Sequence, residues 1–216
     1  MVIPMKLYSY FRSSAAYRLR IALNLKGLTY EQVSVSLLNG EQFAQSYTTI
    51  NPQSLVPVLE DGAQHFTQSL AICEYLDETH PEPPFLPPTP VARARVRALA
   101  LAVACEIHPL NNLRVLKYME SSLGQDEDQR NAWYRHWIAQ GFAALEAMLA
   151  GDVQTGRYCH GDTPGLADIF LIPQVANALR YECPLEEYPV ICRINAECLR
   201  LDAFTKAEPR LQPDAS

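Results

Sequence analysis

A dense run of prolines in the first half of the chain limits the possible folds more than any other feature of the sequence. It comprises Pro81, Pro83, Pro84, Pro87, Pro88 and Pro90. Because proline fixes φ and has no backbone N–H to donate, this stretch is incompatible with a regular helix or a central strand. We interpret it as a stiff linker. The sequence therefore predicts a first domain over residues 1–84, a linker over 85–90 and a second domain over 91–216.

The hydrophobic pattern differs on the two sides of this linker. Before it, short apolar segments of strand type alternate with helical patterns. After it, strand signals almost vanish and apolar residues recur at helical spacing. The predicted strands lie at 6–10, 33–37, 56–59 and 65–67, and the predicted helices of the second domain lie around 91–107, 126–149, 166–181 and 190–201. The pattern thus predicts a small α/β domain followed by an all-α domain.

The composition argues against several classes of function. With 216 residues, 48% of them hydrophobic, the chain can fill the cores of two modest domains. Its net charge of −6 offers no broad basic surface to nucleic acid or to an anionic membrane. The opening residues show no signal-peptide pattern and no segment is apolar over the length that a bilayer requires, so we expect a cytoplasmic protein.

The cysteines follow no pattern of a disulfide framework or a metal site. They include no C-x-x-C pair and no zinc-ligand spacing, so we predict no metal and expect reduced, partly buried residues. They are Cys73, Cys105, Cys159, Cys183, Cys192 and Cys198.

The first helix carries the strongest chemical signal. It is predicted to begin at Ser13-Ser14, directly after the first strand, and to end at Gly27. The unpaired N–H groups and the positive dipole end at such a position stabilise an anion, and a serine hydroxyl that donates a hydrogen bond lowers the pKa of a bound thiol. The site suits a thiolate. The alternative is that the serines only cap the helix.

Two further segments could bind an extended peptide. A cis peptide bond before Pro57 would present the backbone of Val56, although a trans turn is commoner for any X-Pro sequence. Gln68-Ser69 precedes another helix, where an amide, a hydroxyl and two N–H groups could hold a carboxylate. Here too, a simple N-cap is the alternative.

The segment from Gly165 to Asp168 predicts the start of a helix in the second domain. An acidic side chain three residues after the cap can accept a hydrogen bond from the cap N–H, as in a capping box, and glycine is tolerated at the cap. We assign Asp168 a structural role.

These segments together resemble the zeta class of glutathione transferases, whose members include maleylacetoacetate isomerases and glutathione-dependent maleylpyruvate isomerases. The similarity extends over nearly the whole chain. It rests on Lys6-Leu-Tyr-Ser-Tyr-Phe-Arg-Ser-Ser14, Tyr17-Arg-Leu-Arg-Ile-Ala-Leu23, Asn51-Pro-Gln-Ser-Leu-Val-Pro57, Gln68-Ser-Leu-Ala-Ile72, His108-Pro-Leu-Asn-Asn112, Gly161-Asp162, Pro173-Gln-Val-Ala-Asn177 and Tyr188-Pro189.

The resemblance implies a thioredoxin-like N-terminal domain, an all-helical C-terminal domain, an active site in the cleft between them, and a homodimer. It also implies glutathione as the cofactor. By the same resemblance, Ser13 and Ser14 contact the sulfur as the catalytic pair, Gln42 and Val56 hold the peptide backbone, and Gln68 with Ser69 hold the γ-glutamyl end. Further cofactor contacts from the helical domain are His108 and Asn112.

One departure from the family motif restricts the chemistry. The family usually has Ser-Ser-Cys, and this chain has Ala15 in the third position. The nucleophilic sulfur must then come from glutathione, whose reversible addition to a conjugated cis double bond allows rotation and elimination. We therefore expect isomerisation that requires catalytic glutathione.

Maleylacetoacetate and maleylpyruvate each carry two carboxylates, so a site for them needs spaced cations that bind bidentately. The resemblance places Arg12, Arg114 and Arg180 in the substrate pocket. The other arginines of the helical segments are expected at the surface. These are Arg18, Arg20, Arg93, Arg95 and Arg97.

The leading hypothesis is a glutathione-dependent isomerase of maleylacetoacetate in tyrosine and phenylalanine breakdown, with maleylpyruvate as the second substrate candidate. One alternative is a general transferase that conjugates glutathione to electrophiles, although three arginines favour a small dianionic acid. Another is a binding module without activity, because fold alone does not establish function. The presence of Ser13, Gln68 and Ser69 argues against this last alternative.

Overall fold

The computed structural model describes residues 4–215, which form two compact units. One unit extends to Phe85 and also includes the segment from Arg200 onward, and the other comprises Leu86–Leu199. The change of unit therefore falls within the proline-rich stretch. Residues 200–215, which the sequence assigns to the second domain, group with the first unit instead.

The first unit is built on a four-stranded mixed sheet with the strand order β2-β1-β3-β4. β1 and β2 are parallel, whereas β3 is antiparallel to both β1 and β4. The strands are β1 (Met5–Ser9), β2 (Tyr30–Ser34), β3 (Val58–Asp61) and β4 (Gln64–Thr67), and the helices are α1 (Ser14–Leu25), α2 (Gln45–Thr48) and α3 (Ser69–Thr79), with a further short helix, Asp202–Thr205, in the C-terminal segment. The α/β character predicted for the first domain is confirmed.

Helix α1 is buried along nearly its whole length, including two arginines. Arg18 is 2% exposed and Arg20 is 0% exposed, so the predicted surface position of both residues is wrong. A buried guanidinium requires hydrogen-bond partners. Arg20 donates to the backbone oxygen of Ala207 at 2.9 Å, to Ser9 Oγ at 3.2 Å and to the backbone oxygen of Phe11 at 3.2 Å. These bonds attach the C-terminal segment to the first unit.

The second unit contains only helices among its described residues. A long α-helix, α4 (Pro90–Leu101), continues as a π-helical segment, Ala102–Ile107. The others are α5 (Leu113–Ser121), α6 (Glu127–Ala150), α7 (Leu166–Arg180) and α8 (Pro189–Cys198). The all-α prediction is confirmed, and α5 is an addition to it. Arg95 of α4 is also mostly buried, with an ion pair to Asp152 at 2.6 Å.

The start of α7 shows the predicted capping arrangement. Asp168 is 1% exposed and accepts hydrogen bonds from the N–H groups of Gly165 and Cys159, each at 2.9 Å. Burial raises the pKa of this carboxyl group, and the two N–H donors oppose that shift. Asp168 therefore joins the preceding loop to the helix start, which is the structural role that the sequence predicts.

None of the helices among residues 4–215 combines the length and the apolar character needed to cross a membrane.

Candidate functional site

The register of the sheet brings four chain segments to one end of the first unit. Tyr8 of β1 pairs with Val58 of β3, and Val58 pairs with Thr67 of β4. The residues that follow β1, precede β3 and follow β4 therefore emerge at the same end. The parallel pairing of Ser9 with Ser34 adds the segment that follows β2. The candidate residues of the first unit lie in these four segments.

Ser13 and Ser14 begin α1 directly beyond β1. Ser13 is the N-cap, and its Oγ accepts a hydrogen bond from the Ala16 N–H at 3.2 Å. As an acceptor in this bond, the hydroxyl still carries a proton that it can donate to a thiolate. Ser14 is 7% exposed, and no acidic residue occupies the first turn. Ser13 therefore does cap the helix. No acidic side chain of the first turn neutralises the partial positive charge at this helix end.

Gln68 and Ser69 begin α3 directly beyond β4. Gln68 stands at the N-cap with φ +69°, a left-handed conformation that is uncommon for a residue with a side chain. Its side chain makes no cap hydrogen bond, and its Nε2 donates to Gln53 Oε1 at 2.9 Å. Ser69 is 7% exposed and accepts a hydrogen bond from Arg18 Nη1 at 3.1 Å. Simple capping therefore does not account for this pair.

Gln42 and Val56 lie in the other two segments. Gln42 belongs to a short 3₁₀ helix, Glu41–Phe43, and is 5% exposed. Its Oε1 is buried without a hydrogen-bond partner among the described residues, an arrangement that favours a ligand N–H as the partner. Val56 is 8% exposed and directly precedes β3, and its peptide bond to Pro57 is cis. An unsatisfied acceptor and two helix N-termini fit a peptide cofactor with an anionic sulfur.

Three buried thiols of the chain are unsuited to act as the nucleophile in place of such a cofactor. Cys73 lies on α3, is fully buried, and burial raises its pKa to about 12. Burial likewise raises the pKa of Cys159 and Cys198. All three thiols are therefore protonated near neutral pH and are poor nucleophiles. Since Ala15 replaces the motif cysteine, the described part of α1 supplies hydroxyl groups but no thiolate.

In the second unit, His108 and Asn112 flank the turn between the π-helical segment and α5. Two hydrogen bonds anchor this turn to α6: Trp133 Nε1 donates to the Leu110 carbonyl at 2.8 Å, and Asn111 Nδ2 donates to the Tyr134 carbonyl at 3.3 Å. His108 is the residue directly after the π-helical segment. Asn112 is the N-cap of α5 and accepts from the Arg114 N–H at 3.1 Å. The cap accounts for Asn112 Oδ1, and the cofactor contact of Asn112 stays a prediction.

Glycine allows the π-helical segment to approach α6 closely. A Cβ atom at Gly141 of α6 would collide with the side chain of Ile107, which is completely buried. Because that collision lies one residue before His108, the glycine fixes the end of the segment that presents the histidine.

The three candidate arginines for substrate are all exposed. Arg12 lies in the first unit, with its guanidinium carbon 5.0 Å from the ring centre of Phe11. Arg114 follows the cap of α5. Arg180 ends α7, and its guanidinium carbon lies 5.1 Å from the ring centre of Tyr181. Their exposure leaves the three guanidinium groups available to carboxylates, and their contact with substrate stays a prediction.

A separate cavity of about 400 Å³ lies in the second unit between α6 and the segment before α8. Its walls include His136, Cys183 and Glu187, and none of the predicted site residues. We do not assign it to the site. Among residues 4–215, no cluster of three or more histidine, cysteine, aspartate or glutamate side chains has the arrangement of a metal site.

Sequence interpretation missed Arg18, the buried partner of Ser69. A signal was available: Arg18 lies four residues after Ser14 and four before Ala22, so it shares the buried face of α1. The general preference of arginine for the surface outweighed this periodicity.

Comparison with known proteins agrees with the geometry of both units. Residues 3–78 match the model of the glutathione S-transferase N-terminal domain, and residues 127–191 match that of a glutathione S-transferase C-terminal domain. Among curated proteins, a maleylpyruvate isomerase of Ralstonia sp. is 50% identical over 98% of this chain and 100% of its own length. A probable maleylacetoacetate isomerase of Vibrio cholerae is 48% identical over 97% of both chains.

Two solved structures extend the comparison. The holo structure of a maleylpyruvate isomerase, a bacterial zeta-class glutathione transferase, has a TM-score of 0.96 at 50% identity, covering 98% of this chain and 100% of that one. A maleylacetoacetate isomerase of Anaeromyxobacter dehalogenans with bound dicarboxyethyl glutathione and citrate has a TM-score of 0.86 at 45% identity, covering 99% and 94%. The fold and site thus define a glutathione transferase. Within that class, the chain belongs to the zeta family of maleylacetoacetate and maleylpyruvate isomerases.

Proposed function

We propose that this protein is a glutathione-dependent cis–trans isomerase of maleylacetoacetate-like dicarboxylates. The main observation is that α1 begins with a serine hydroxyl at its positive end, in a segment where the chain has alanine instead of the family's cysteine. This arrangement stabilises a sulfur anion without providing one. It therefore requires a thiol from outside the chain.

When bound, glutathione would supply a thiolate for reversible addition to the conjugated double bond, so that rotation about that bond becomes possible. The residues of the chain perform the remaining tasks. Ser13 donates a hydrogen bond from its hydroxyl group to the sulfur anion and so favours the ionised thiol at neutral pH. Ser14, the first residue of α1, is assigned to the same sulfur atom. Gln42 accepts a backbone N–H of the tripeptide at its unsatisfied Oε1.

The γ-glutamyl carboxylate is assigned to the start of α3. Ser69 offers a hydroxyl group and its position offers unpaired N–H groups of the first helical turn. Gln68 is held in a left-handed conformation beside it, with its amide attached to Gln53. Val56, at the start of β3, is assigned to the cofactor backbone, and His108 and Asn112 of the second unit are assigned further contacts.

The substrate carboxylates are assigned to Arg12, Arg114 and Arg180. Guanidinium groups bind carboxylates bidentately and keep their charge at any physiological pH, which suits a dianionic substrate. A related enzyme has been solved with dicarboxyethyl glutathione and citrate in its active site. That ligand joins glutathione to a two-carboxylate fragment, and it supports both the sulfur addition and the substrate class that we propose.

Maleylpyruvate is the second candidate substrate, because a maleylpyruvate isomerase is 50% identical over the length of the chain. For maleylacetoacetate we propose a step of tyrosine and phenylalanine breakdown, in the cytoplasm, by a homodimer. Size-exclusion chromatography with light scattering tests the dimer: a mass near twice 24.3 kDa supports it, and a mass near 24.3 kDa contradicts it.

A side-by-side assay of purified protein tests the function. The substrates are maleylacetoacetate, maleylpyruvate and a chromogenic electrophile, each with and without glutathione. We expect isomerisation of at least one dicarboxylate that disappears when glutathione is omitted. Isomerisation that persists without thiol contradicts the proposal, and turnover of the electrophile alone identifies a general transferase. Absence of turnover with all three, despite measurable glutathione binding, identifies a binding module.

A further inference from the structure

Arg18 connects the two helices that begin at the candidate glutathione site. It lies on α1, one turn beyond Ser14, and is 2% exposed. Its Nη1 donates to Ser69 Oγ at 3.1 Å, and Ser69 is the first residue of α3. One buried side chain therefore reaches from the helix assigned to the sulfur to the helix end assigned to the γ-glutamyl carboxylate.

The sign of its charge at this position is informative. A helix N-terminus carries partial positive charge and favours anions. The guanidinium of Arg18 adds a full positive charge at the start of α3, in a buried position where electrostatic interactions are strong. An anion bound at the start of α3 would therefore be stabilised by both the helix end and Arg18.

The direction of the hydrogen bond also matters. Because Arg18 donates to Ser69 Oγ, it occupies a lone pair of that oxygen and leaves the hydroxyl proton to be donated elsewhere. A hydroxyl polarised by a cationic donor is itself a better donor. The bond with Arg18 therefore prepares Ser69 to donate to an acceptor such as a carboxylate.

We propose that Arg18 is a positioning residue for glutathione, one that orients the Ser69 hydroxyl and places a buried positive charge behind the γ-glutamyl carboxylate. This inference rests on the proposed function, since it takes Ser69 as the contact for that carboxylate. Arg18 acts through Ser69 and does not touch the reacting double bond. Its effect should therefore appear in glutathione binding, while turnover at saturating glutathione stays nearly unchanged.

The chain offers a matched control at the other end of the same two helices. Lys26 follows α1, its side chain is 0% exposed, and its Nζ pairs with Asp77 of α3 at 2.8 Å. Lys26 also donates to the carbonyl of Pro83 at 2.7 Å. Like Arg18, it is a buried cation that joins α1 to α3, but it contacts none of the candidate site residues in these bonds. Lys26→Met therefore reports the general cost of removing such a cation.

Calorimetric titration of glutathione measures the effect on Arg18→Lys, Arg18→Met, Ser69→Ala and the double variant Arg18→Lys with Ser69→Ala. We expect Arg18→Lys and Ser69→Ala each to raise the Kd about tenfold, the scale of one hydrogen bond to a charged group. The double variant should bind within about twofold of Ser69→Ala, because the lysine substitution acts through a hydroxyl already removed. Arg18→Met should raise the Kd further. Lys26→Met should lower the melting temperature but leave the Kd for glutathione unchanged.

Distinct outcomes separate this inference from the proposed function. Additive effects of Arg18→Lys and Ser69→Ala would overturn the inference, and so would an equal loss of affinity in Lys26→Met. An unchanged Kd in Arg18→Lys, with weakened binding in Ser69→Ala, would overturn it while leaving the function intact. If the wild-type protein shows no binding, the proposed function fails first. If Arg18→Met does not fold, the lysine and alanine variants still decide the question.

Discussion

The two units hold their candidate residues in different ways. In the first unit, Ser14, Gln42, Val56 and Ser69 are each less than 9% exposed and lie in segments fixed by the strand register. In the second unit, Arg114 and Arg180 are exposed on the ends of helices. We call these buried residues of the first unit, which are assigned to the cofactor, the built-in half of the candidate site. The exposed arginines of the second unit, which are assigned to the substrate, are its displayed half. Substitutions should therefore have different consequences in the two units.

Ser13→Ala should give the largest effect and test the built-in half. Loss of the hydroxyl donor to a developing sulfur anion should lower turnover about 100-fold, by analogy with the removal of one donor from an oxyanion site. Loss of the N-cap should also lower stability by about 1 kcal/mol. Steady-state kinetics with maleylacetoacetate and glutathione, together with thermal unfolding, measures both.

Ser13→Asp separates these two roles. Aspartate caps a helix as well as serine does, but it places a negative charge where the sulfur anion is expected. We expect wild-type stability with turnover as low as that of Ser13→Ala. Turnover near the wild-type rate in either variant would remove Ser13 from the chemistry and leave it only the capping role.

Asp168→Ala should give the largest effect on stability in the second unit without disturbing its displayed residues. The substitution leaves two buried N–H groups, those of Gly165 and Cys159, without their acceptor. The expected cost is about 2–3 kcal/mol, measured by denaturant unfolding. The KM for the dicarboxylate should stay unchanged, since Asp168 is not assigned to the site.

The second capping box of the same unit is the control. Asp126 begins α6, is exposed, and accepts from the Gln129 N–H at 2.8 Å, while Gln129 Oε1 accepts from the Asp126 N–H at 2.9 Å. Water can replace its acceptor, so Asp126→Ala should cost only about 1 kcal/mol. Equal losses in the two variants would show that burial of Asp168 contributes nothing beyond an ordinary cap.

Much of the built-in half could be predicted from sequence, because strands, helix starts and glycine turns depend on local patterns. The starts of α1 at Ser14 and of α3 at Ser69 follow from their neighbouring residues. The attachment of residues 200–215 could not be predicted, since it depends on tertiary hydrogen bonds from Arg20 to Ala207 and from Asn24 to Ala203. Helix α5 was missed because it has only nine residues, although its apolar residues recur at helical spacing.

Arg114→Ala and Arg180→Ala test the displayed half. If each guanidinium binds one substrate carboxylate in the ground state, each substitution should raise the KM for the dicarboxylate about tenfold, or about 1.4 kcal/mol. Because both side chains are exposed, the melting temperature should stay within about 1 °C of wild type. Glutathione affinity should also be unchanged.

Arg193→Ala is the matched control, since Arg193 is exposed on α8 and donates a hydrogen bond to the Arg157 carbonyl at 3.2 Å. The KM of this variant should equal that of the wild type. A KM unchanged in both Arg114→Ala and Arg180→Ala would show that these two arginines are ordinary surface residues. A large loss of stability in either would contradict the distinction between the two units.

His160→Gln should give the smallest effect and concerns the pH dependence of stability. Burial lowers the pKa of His160, the nearby Arg95 charge lowers it further, and Asp152 opposes the shift. The folded protein therefore resists protonation that the unfolded chain accepts below a pKa of about 6.5. Stability should be retained above that pH and lost progressively as the pH falls through it. With solvent screening, the loss should lower the melting temperature by only about 1 °C.

Thermal unfolding of wild type and His160→Gln between pH 7.5 and 5.5 measures this dependence. Glutamine can still accept from Arg95, whose Nη1 lies 3.2 Å from His160 Nδ1, but it does not titrate. Between pH 7.5 and pH 5.5, the melting temperature of the wild type should therefore fall by about 1 °C more than that of His160→Gln, because only the wild type has a titrating side chain at this position. A parallel fall in both proteins would assign the pH dependence to other groups. Neither result bears on the candidate site, because the network of Arg95, Asp152 and His160 joins α4 to the loop before α7.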